Sequence, residues 1–215
     1  MRSQYGDHFN HDEDAPTYDA EVADERDPIR TGYRAALRWV GECTRGCLRV
    51  LDLGAGTGNT ITELPPCADV VAVDVSSEML ALARKKLQRR QVSFLQKDLL
   101  EYVEEAGPPV FDAIVSSYAI HHLTQAEKEY LFRKSTDLLI PTGRMVLVDL
   151  MYQDQAHKDE LLQGYRDSWP DVAEGLAKEF FWDISKSLPS VRSAGYEVTL
   201  KRFSDLSWGV LAQRR

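Results

Sequence analysis

Short apolar runs alternate with amphipathic stretches through the middle of the chain. The apolar runs are rich in β-branched residues, which is typical of buried strands. Patterns with helical spacing separate them, and this alternation predicts a parallel sheet connected by helices. The predicted strands are "LRVLDLG" at residues 48–54, "DVVAVDVS" at 69–76, "VSFLQKDL" at 92–99, "FDAIVSSY" at 111–118 and "GRMVLVDLM" at 143–151.

Polar residues indicate where two of the helices begin. Ser76 or Ser77 is placed to cap a helix whose last turn is basic, which suits the helix dipole. Thr124 is followed three residues later by Glu127, a spacing that predicts a capping box. We expect this second helix to end at Pro141, because proline disfavours a helical residue before it.

The pattern loosens after residue 151. Residues 154–188 predict a helical stretch that is rich in aromatic side chains. Two strands follow, "YEVTLKRF" at 196–203 and "LSWGVLAQ" at 206–213. Because so few residues separate them, they predict an antiparallel hairpin at the edge of the sheet.

Composition adds limits to this picture. The chain has 215 residues, of which 43% are hydrophobic and 28% charged, as is typical of one globular domain. Its polar, acidic beginning does not resemble a secretion signal, and no apolar run is long enough to span a bilayer, so we expect a cytoplasmic protein. The net charge of −8 disfavours general affinity for nucleic acid and favours small-molecule partners.

Metal binding is not predicted from the sequence. Cys43, Cys47 and Cys67 have no second Cys/His pair at zinc-site spacing, and we interpret them as reduced thiols. The segment "HFNHDED" at residues 8–14 mixes histidines and carboxylates, but we interpret it as a solvated tail because chain ends are seldom rigid. The basic stretch "RKKLQRR" at 84–90 is interpreted as a solvent-facing helix end.

The segment "VLDLGAGTGN" places glycines at positions 54, 56 and 58, directly after the first predicted strand. Ligands of open α/β sheets bind at the carboxyl ends of the strands, and glycine lets a ligand approach the main chain. The loop therefore predicts a nucleotide-type ligand, with a bare turn as the alternative. The spacing is G-x-G-x-G and not the G-x-G-x-x-G of dinucleotide sites, which disfavours a nicotinamide-dependent oxidoreductase.

Polar residues also end the following predicted strands. Asp74 lies twenty residues after Gly54, where a carboxylate can accept hydrogen bonds from both hydroxyls of a ribose. Asp98 ends the third strand and is placed to face an adenine amino group. The fourth strand leads into His121 and His122, where the reacting atoms would meet.

The ordered set of motifs resembles the class I S-adenosylmethionine-dependent methyltransferases. It comprises "VLDLGAGTGN", "VVAVDVS", "LQKDL", "FDAIVSSYAIHHL" and "TGRMVLVDLM", and it spans residues 48–151. The resemblance implies an α/β, Rossmann-like fold with a seven-stranded, mostly parallel sheet of order 3-2-1-4-5-7-6, helices on both faces and an N-terminal helical cap. The most similar members are small bacterial-type proteins of unassigned substrate. No "NPPY"-like tetrad follows the fourth strand, so the similarity to methylases of exocyclic base amines ends there.

The resemblance divides a single domain, 1–215, into three parts. Residues 1–47 would form the tail and cap helices, 48–151 the cofactor-binding core, and 152–215 the acceptor-side helices and the hairpin. The cofactor implied is S-adenosyl-L-methionine, with S-adenosyl-L-homocysteine as its product. Its methionine end would contact Asp52 and the backbone of Gly54, Ala55 and Gly56, and the Ser116 carbonyl would accept a hydrogen bond from its ammonium group. Asp74 would bind the ribose, and Tyr18 would reach over the cofactor. The adenine would lie between Val75 and Met79, with its amino edge facing Asp98 and Leu99.

The resemblance thus predicts transfer of a methyl group to a small-molecule acceptor by in-line displacement, for which much of the rate can come from orientation. His121 is the candidate base and His122 the second choice, while packing at the turn is the alternative role for both. An RNA (tRNA) methyltransferase and a non-catalytic S-adenosylmethionine-binding regulator stay open as alternative functions, as does the choice between monomer and homodimer.

The aromatic residues expected either to wall the acceptor pocket or to pack in the core are Tyr165, Trp169, Phe180, Phe181 and Trp182.

Overall fold

A single twisted sheet runs through the computed structural model, which describes residues 1–6, 10–105 and 107–214. Its order is β3-β2-β1-β4-β5-β8-β7, and a two-residue strand, β6, pairs with β5 beside this path. The strands are β1 (Arg49–Leu53), β2 (Asp69–Asp74), β3 (Val92–Gln96), β4 (Phe111–Ser117), β5 (Leu139–Tyr152), β6 (Trp182–Asp183), β7 (Tyr196–Arg202) and β8 (Ser207–Arg214).

The sheet confirms the order expected from the sequence. Strands β1 to β5 pair in parallel, whereas β8 pairs antiparallel with both β5 and β7. If the short β6 is not counted, the last two strands become the sixth and seventh, and the order reads 3-2-1-4-5-7-6. The expected hairpin at the edge of the sheet is therefore β7–β8.

Helices connect these strands and cover both faces of the sheet. Each strand side chain points to the face opposite that of its neighbour, so Val50 packs into one buried cluster and Leu51 into the other. The helices are α1 (Ala15–Glu21), α2 (Tyr33–Cys43), α3 (Asn59–Glu63), α4 (Ser77–Lys86), α5 (Leu99–Glu105), α6 (Gln125–Leu138), α7 (Gln155–Tyr165), α8 (Pro170–Lys178) and α9 (Ile184–Ser193), with a 3-10 turn at Ile120–His122.

The two predicted helix starts are confirmed. The Ser76 hydroxyl caps α4 by accepting from the amide of Met79, and Thr124 and Glu127 form a complete capping box at α6. Helix α6 ends at Leu138, three residues before Pro141. The prediction was slightly wrong because Leu139 already pairs with Phe111 of β4, so the sheet takes over before the proline is reached.

The stretch predicted as helical between residues 154 and 188 is divided into several elements. Helices α7 and α8 occupy most of it, but β6 interrupts the pattern and α9 continues to Ser193 with Pro189 inside it. The interruption arises because Met151 and Tyr152 of β5 pair with the two residues of β6. No helix within the described residues has the length and apolar character needed to cross a membrane.

Candidate active site

A cavity opens at the carboxyl ends of β1, β2 and β4, where the sequence predicted a ligand. The glycine loop after β1 forms its floor, and the N-terminal residues of the chain close it from above. Of the predicted site residues, nine border the cavity: Tyr18, Gly54, Gly56, Asp74, Val75, Met79, Asp98, Leu99 and His121.

Two glycines of the loop have different structural roles. Gly54 has a φ of +75°, and a Cβ atom there would lie 2.3 Å from the Cβ of Ala119. Gly56 has a φ of +51°, and a Cβ atom there would meet no atom within 4 Å among the described residues. Gly54 thus permits the close approach of the segment after β4, whereas Gly56 leaves open space on the cavity side.

The backbone amides of the loop are held by the neighbouring strand. Gly54 and Ala55 both donate to the carbonyl of Val73, at 2.9 and 3.1 Å. Gly56 donates to Oδ2 of Asp74 at 2.7 Å, and Ser76 donates to Oδ1 of the same carboxylate at 2.9 Å. Asp74 therefore fixes the loop as well as facing the cavity, and burial raises the pKa of its carboxyl.

Asp52 lies behind the loop and is fully buried. Neither carboxyl oxygen has a hydrogen-bond partner within the described part of the chain. Burial, together with the nearby charge of Asp74, raises the pKa of Asp52 to about 8. A buried carboxyl without a partner is costly, so this position suits a ligand that brings a positive charge, such as the ammonium of S-adenosylmethionine.

Two further predicted residues lie behind the cavity wall. Ala55 is buried, and its amide donates to β2. Ser116 is also buried and donates from its hydroxyl to the Leu53 carbonyl at 2.6 Å. The neighbouring Ser117 borders the cavity in place of Ser116. The contacts predicted for Asp52, Ala55 and Ser116 stay predictions.

The side of the cavity predicted to hold adenine is bordered by Val75, Met79, Asp98 and Leu99. Asp98 accepts hydrogen bonds from the amide of Leu100 at 2.9 Å and from the amide and hydroxyl of Ser3. The first residues of the chain therefore contact the carboxylate expected to recognise the adenine amino group.

The N-terminal cap contributes a tyrosine and an arginine. Tyr18, predicted to lie over the cofactor, borders the cavity, and the Arg30 guanidinium lies 5.7 Å from the centre of its ring. Asp19 anchors the cap by accepting from Thr57 at 2.6 Å and pairing with Lys86 at 2.7 Å. Arg30 was not predicted from the sequence, because nothing in its local pattern indicates which way its side chain points.

His121 lies at the other end of the cavity, in the turn after β4, and is buried. Its Nδ1 atom is 2.5 Å from Oδ1 of Asp149, a buried residue of β5. The second oxygen of Asp149 accepts from the amides of Ile120 and His121, at 2.9 and 3.0 Å. Because the carboxylate is an acceptor, the Nδ1 atom carries the hydrogen and the Nε2 lone pair is directed away from Asp149.

Glu179 completes this end of the cavity. Its Oε2 atom lies 3.6 Å from Nε2 of His121 and 3.9 Å from Nδ1 of His122. The imidazole rings of the two histidines are 3.9 Å apart between centroids. Burial and the neighbouring positive groups lower the pKa of His122 well below its ordinary value.

A buried lysine holds the backbone near Glu179. The ammonium of Lys128 donates to the carbonyls of Leu123 and Phe180, the residue after Glu179. Burial lowers the pKa of Lys128 to about 8. The segment after α8 is thereby fixed against the turn that carries the two histidines. Sequence analysis missed Asp149 and Glu179, although an acidic residue inside the apolar run "VLVDLM" is a signal for Asp149.

The aromatic residues after β5 do not wall this cavity. None of the five expected side chains borders it, and Phe181 and Trp182 are instead buried in the two hydrophobic clusters. Trp169 is 41% exposed. Phe181 packs behind His121, with the two rings edge-on and their centroids 5.7 Å apart. Core packing therefore accounts for the most buried of these aromatics.

The segment interpreted as a solvated tail contacts the site instead. His11 has its Nε2 atom 3.4 Å from Nε2 of His122, and Asp12 accepts from Ser76 at 2.5 Å. His8 and Phe9 lie outside the described residues. The interpretation was wrong for residues 10–12, because the open top of the cavity offers them partners that the local sequence does not show.

Two other interpretations concern residues away from the cavity. The three cysteines are free thiols, as expected.

The basic stretch at 84–90 contacts several other segments of the chain. Lys86 pairs with Asp19, Arg90 donates to the carbonyl of Leu64, and Arg84 packs against Phe94. This helix end therefore contacts its own chain to a greater extent than the sequence suggested.

Comparison with known proteins places the chain among methyltransferases. A family model described as a methyltransferase domain matches residues 50–143. An uncharacterized methyltransferase of Bacillus mycoides is 30% identical over 209 residues, covering 95% of this chain and 96% of the relative. The uncharacterized methyltransferase YrrT of Halobacillus halophilus is 29% identical over 167 residues, covering 77% and 76% of the two chains.

Solved structures show the same fold. The magnesium protoporphyrin IX methyltransferase of Synechocystis, with bound S-adenosylhomocysteine, aligns with a TM-score of 0.68 at 18% identity and covers 98% of this chain and 97% of its own. An O-methyltransferase family protein of Burkholderia thailandensis aligns with a TM-score of 0.69 at 16% identity, over 88% of this chain and 58% of its own.

Proposed function

Because the chain belongs to the class I S-adenosylmethionine-dependent methyltransferases, we propose that it methylates a small molecule held beside His121. When bound, S-adenosylmethionine supplies a methyl group that its positively charged sulfur activates for transfer. The observation that carries the proposal is the cavity itself, which is bordered by Asp74, Met79 and Asp98 at one end and by His121, bonded to Asp149, at the other.

The residues at the first end fit the cofactor. We assign Asp74 to the ribose, Val75 and Met79 to the faces of the adenine, and Asp98 with Leu99 to its amino edge. Asp52, which has no hydrogen-bond partner among the described residues, would balance the ammonium from behind the loop. Tyr18 would cover the cofactor, and the Ser116 carbonyl keeps its predicted contact with the ammonium. Gly54, Ala55 and Gly56 would shape the main chain beneath the methionine end.

His121 is the proposed catalytic residue at the second end. Asp149 accepts a hydrogen bond from Nδ1 of His121 and fixes the orientation of the ring, as carboxylates do in catalytic triads. The Nε2 atom then accepts a proton from the hydroxyl or amine of the acceptor. Orientation of the acceptor towards the methyl group supplies the rest of the acceleration.

A small acceptor is favoured over RNA by the way in which the cavity is enclosed. Residues of the N-terminal segment and the cap, including Ser3, His11 and Tyr18, border it from above. The basic helix end is engaged with the protein's own chain, and the net charge of −8 opposes binding to a phosphate backbone.

Two measurements test this function. The first is the thermal shift of the purified chain with S-adenosylmethionine, S-adenosylhomocysteine and NAD. A ligand at 100 times its dissociation constant stabilises a fold by about 2.7 kcal/mol, so the adenosyl ligands should raise the Tm by several degrees and NAD should not.

The second measurement is the release of S-adenosylhomocysteine with a small-molecule metabolite fraction and, separately, with bulk tRNA. We expect turnover with the metabolites only. Turnover with tRNA alone would favour the RNA-modifying alternative, and binding without any turnover would favour the regulator. A lower release of S-adenosylhomocysteine in the His121→Asn variant would show that the product forms at this site.

A further inference from the structure

Three potential metal ligands converge at the acceptor end of the cavity. One ligand atom each from His121, His122 and Glu179 lies within 4.8 Å of the others. All three residues border the cavity, so a group bound between them would face the space left for the acceptor. The sequence did not reveal this cluster, because Glu179 is distant along the chain from the two histidines.

The distances suit a first-row transition metal. Zinc lies about 2.0–2.1 Å from histidine nitrogens and carboxylate oxygens, so two ligand atoms of a tetrahedral site are about 3.3 Å apart. Oε2 of Glu179 is 3.6 Å from Nε2 of His121 and 3.9 Å from Nδ1 of His122. These two distances are therefore within a few tenths of an ångström of those in a zinc site, and the ligand atoms of the two histidines lie within 4.8 Å of each other.

Both imidazoles are also oriented by their other nitrogen. Nδ1 of His121 donates to Asp149, which leaves the lone pair on Nε2, the atom nearest Glu179. Nδ1 of His11 bonds to Asp14 at 3.0 Å, and Nε2 of His11 meets Nε2 of His122 at 3.4 Å. The contact of His122 with His11 is made by Nε2, whereas the nitrogen of His122 that lies 3.9 Å from Glu179 is Nδ1. Metal-binding histidines are typically held by such outer carboxylates.

We propose that His121, His122 and Glu179 bind one divalent transition-metal ion such as Zn²⁺ at the acceptor end of the cavity. Two histidines and one carboxylate with an open position are typical of catalytic and not of structural zinc sites. The open position would face the cavity and take an oxygen or a nitrogen of the acceptor.

The inference shares its location with the proposed function, and one atom links the two. Nε2 of His121 cannot bind an ion and accept a proton at the same time. In the ion-bound protein, His121 would be a ligand, and the ion would lower the pKa of the acceptor hydroxyl so that its proton leaves to water before the oxygen attacks the methyl group.

The test is calorimetric titration of the full-length chain, without an affinity tag and stripped of metal, with Zn²⁺. We expect one ion per chain and an affinity at least tenfold weaker in Glu179→Gln and in His122→Ala. Asp149→Asn should also weaken binding, by about 10–100-fold as for other outer-shell partners. The matched controls are Glu174→Gln on α8 and His157→Ala on α7, which lie outside the cluster and should leave the affinity unchanged.

Absorption of the Co²⁺-loaded protein provides a readout independent of activity. Intense visible bands that weaken in Glu179→Gln support a low-coordinate site made by these ligands. No binding, or equal binding by Glu179→Gln and Glu174→Gln, overturns the inference. The thermal shift with S-adenosylhomocysteine on the same metal-free samples tests the proposed function separately, since it does not depend on the ion.

Discussion

The two ends of the cavity are built in different ways. At the cofactor end, consecutive segments of the chain form strand, turn and helix, and backbone groups make most of the contacts, as when Gly54, Ala55 and Gly56 all donate to β2 or its last residue. At the acceptor end, side chains from distant elements meet, and Asp149 and His121 are 28 positions apart. The first end should thus be most sensitive to backbone changes, and the second to side-chain changes.

The largest effect is expected from Gly54→Ala. The new Cβ atom would lie 2.3 Å from Ala119, and φ is +75°. Strain in this region and overpacking each cost about 1–3 kcal/mol, so urea unfolding should show a loss of roughly 3 kcal/mol or more. Gly195→Ala is the control, since its φ is +94° but no described atom lies within 4 Å of the added carbon. Equal losses of unfolding free energy in both variants would contradict the conclusion that the close approach of Ala119 requires glycine at position 54.

His121→Asn should affect turnover at the acceptor end without affecting the affinity for the cofactor at the other end. Removal of a general base typically lowers turnover by a factor of 10² to 10⁴, so release of S-adenosylhomocysteine with the active metabolite fraction should fall about 100-fold or more. The dissociation constant for S-adenosylhomocysteine should stay within about twofold, because this side chain lies at the acceptor end. His157→Asn is the control. A comparable loss of cofactor affinity in His121→Asn would show that the ends are not independent.

Asp74→Ala, in contrast to His121→Asn, should weaken binding of the cofactor. The carboxylate holds the amides of Gly56 and Ser76 and is assigned to the ribose. We expect S-adenosylhomocysteine to bind more than tenfold more weakly in calorimetry, a change of about 1.4 kcal/mol. Asp69→Ala, at the other end of β2, is the matched control. Unchanged binding by Asp74→Ala would refute its assignment.

The effect expected from Asp52→Asn depends on pH. The folded protein holds a proton on Asp52 up to about pH 8, whereas the unfolded chain loses it near pH 3.8. Because the folded state binds more protons between these values, this group lowers stability as the pH rises through that window.

Asp52→Asn should therefore stabilise the ligand-free protein at pH 8, which a rise in Tm would measure. The gain should shrink towards pH 5. The same variant should bind S-adenosylhomocysteine less tightly, because it lacks the carboxylate that would balance the ammonium. A gain that is constant from pH 5 to pH 8 would exclude titration of Asp52 as the cause.

Local sequence was sufficient for the strands of the parallel sheet, the helix starts and the glycine turn at the cofactor end. The alternation of strands and helices predicted the sheet, Ser76 and Thr124 indicated where helices begin, and the glycine spacing placed the turn after β1. These features depend on residues a few positions apart, so their physical causes can be read in short windows. The predicted roles of the cofactor residues nevertheless await the binding measurements above.

The tertiary structure alone decided what surrounds the two histidines. The end of α6 was set by pairing of Leu139 with β4, and the direction of residues 10–12 was set by partners across the cavity. Glu179 reaches His121 because the backbone after α8 is held by Lys128, a contact between residues 52 positions apart. Long-range contacts depend on how the elements pack. The sequence by itself therefore determined a methyltransferase-like sheet with a nucleotide-type loop, while packing determined which side chains face the acceptor.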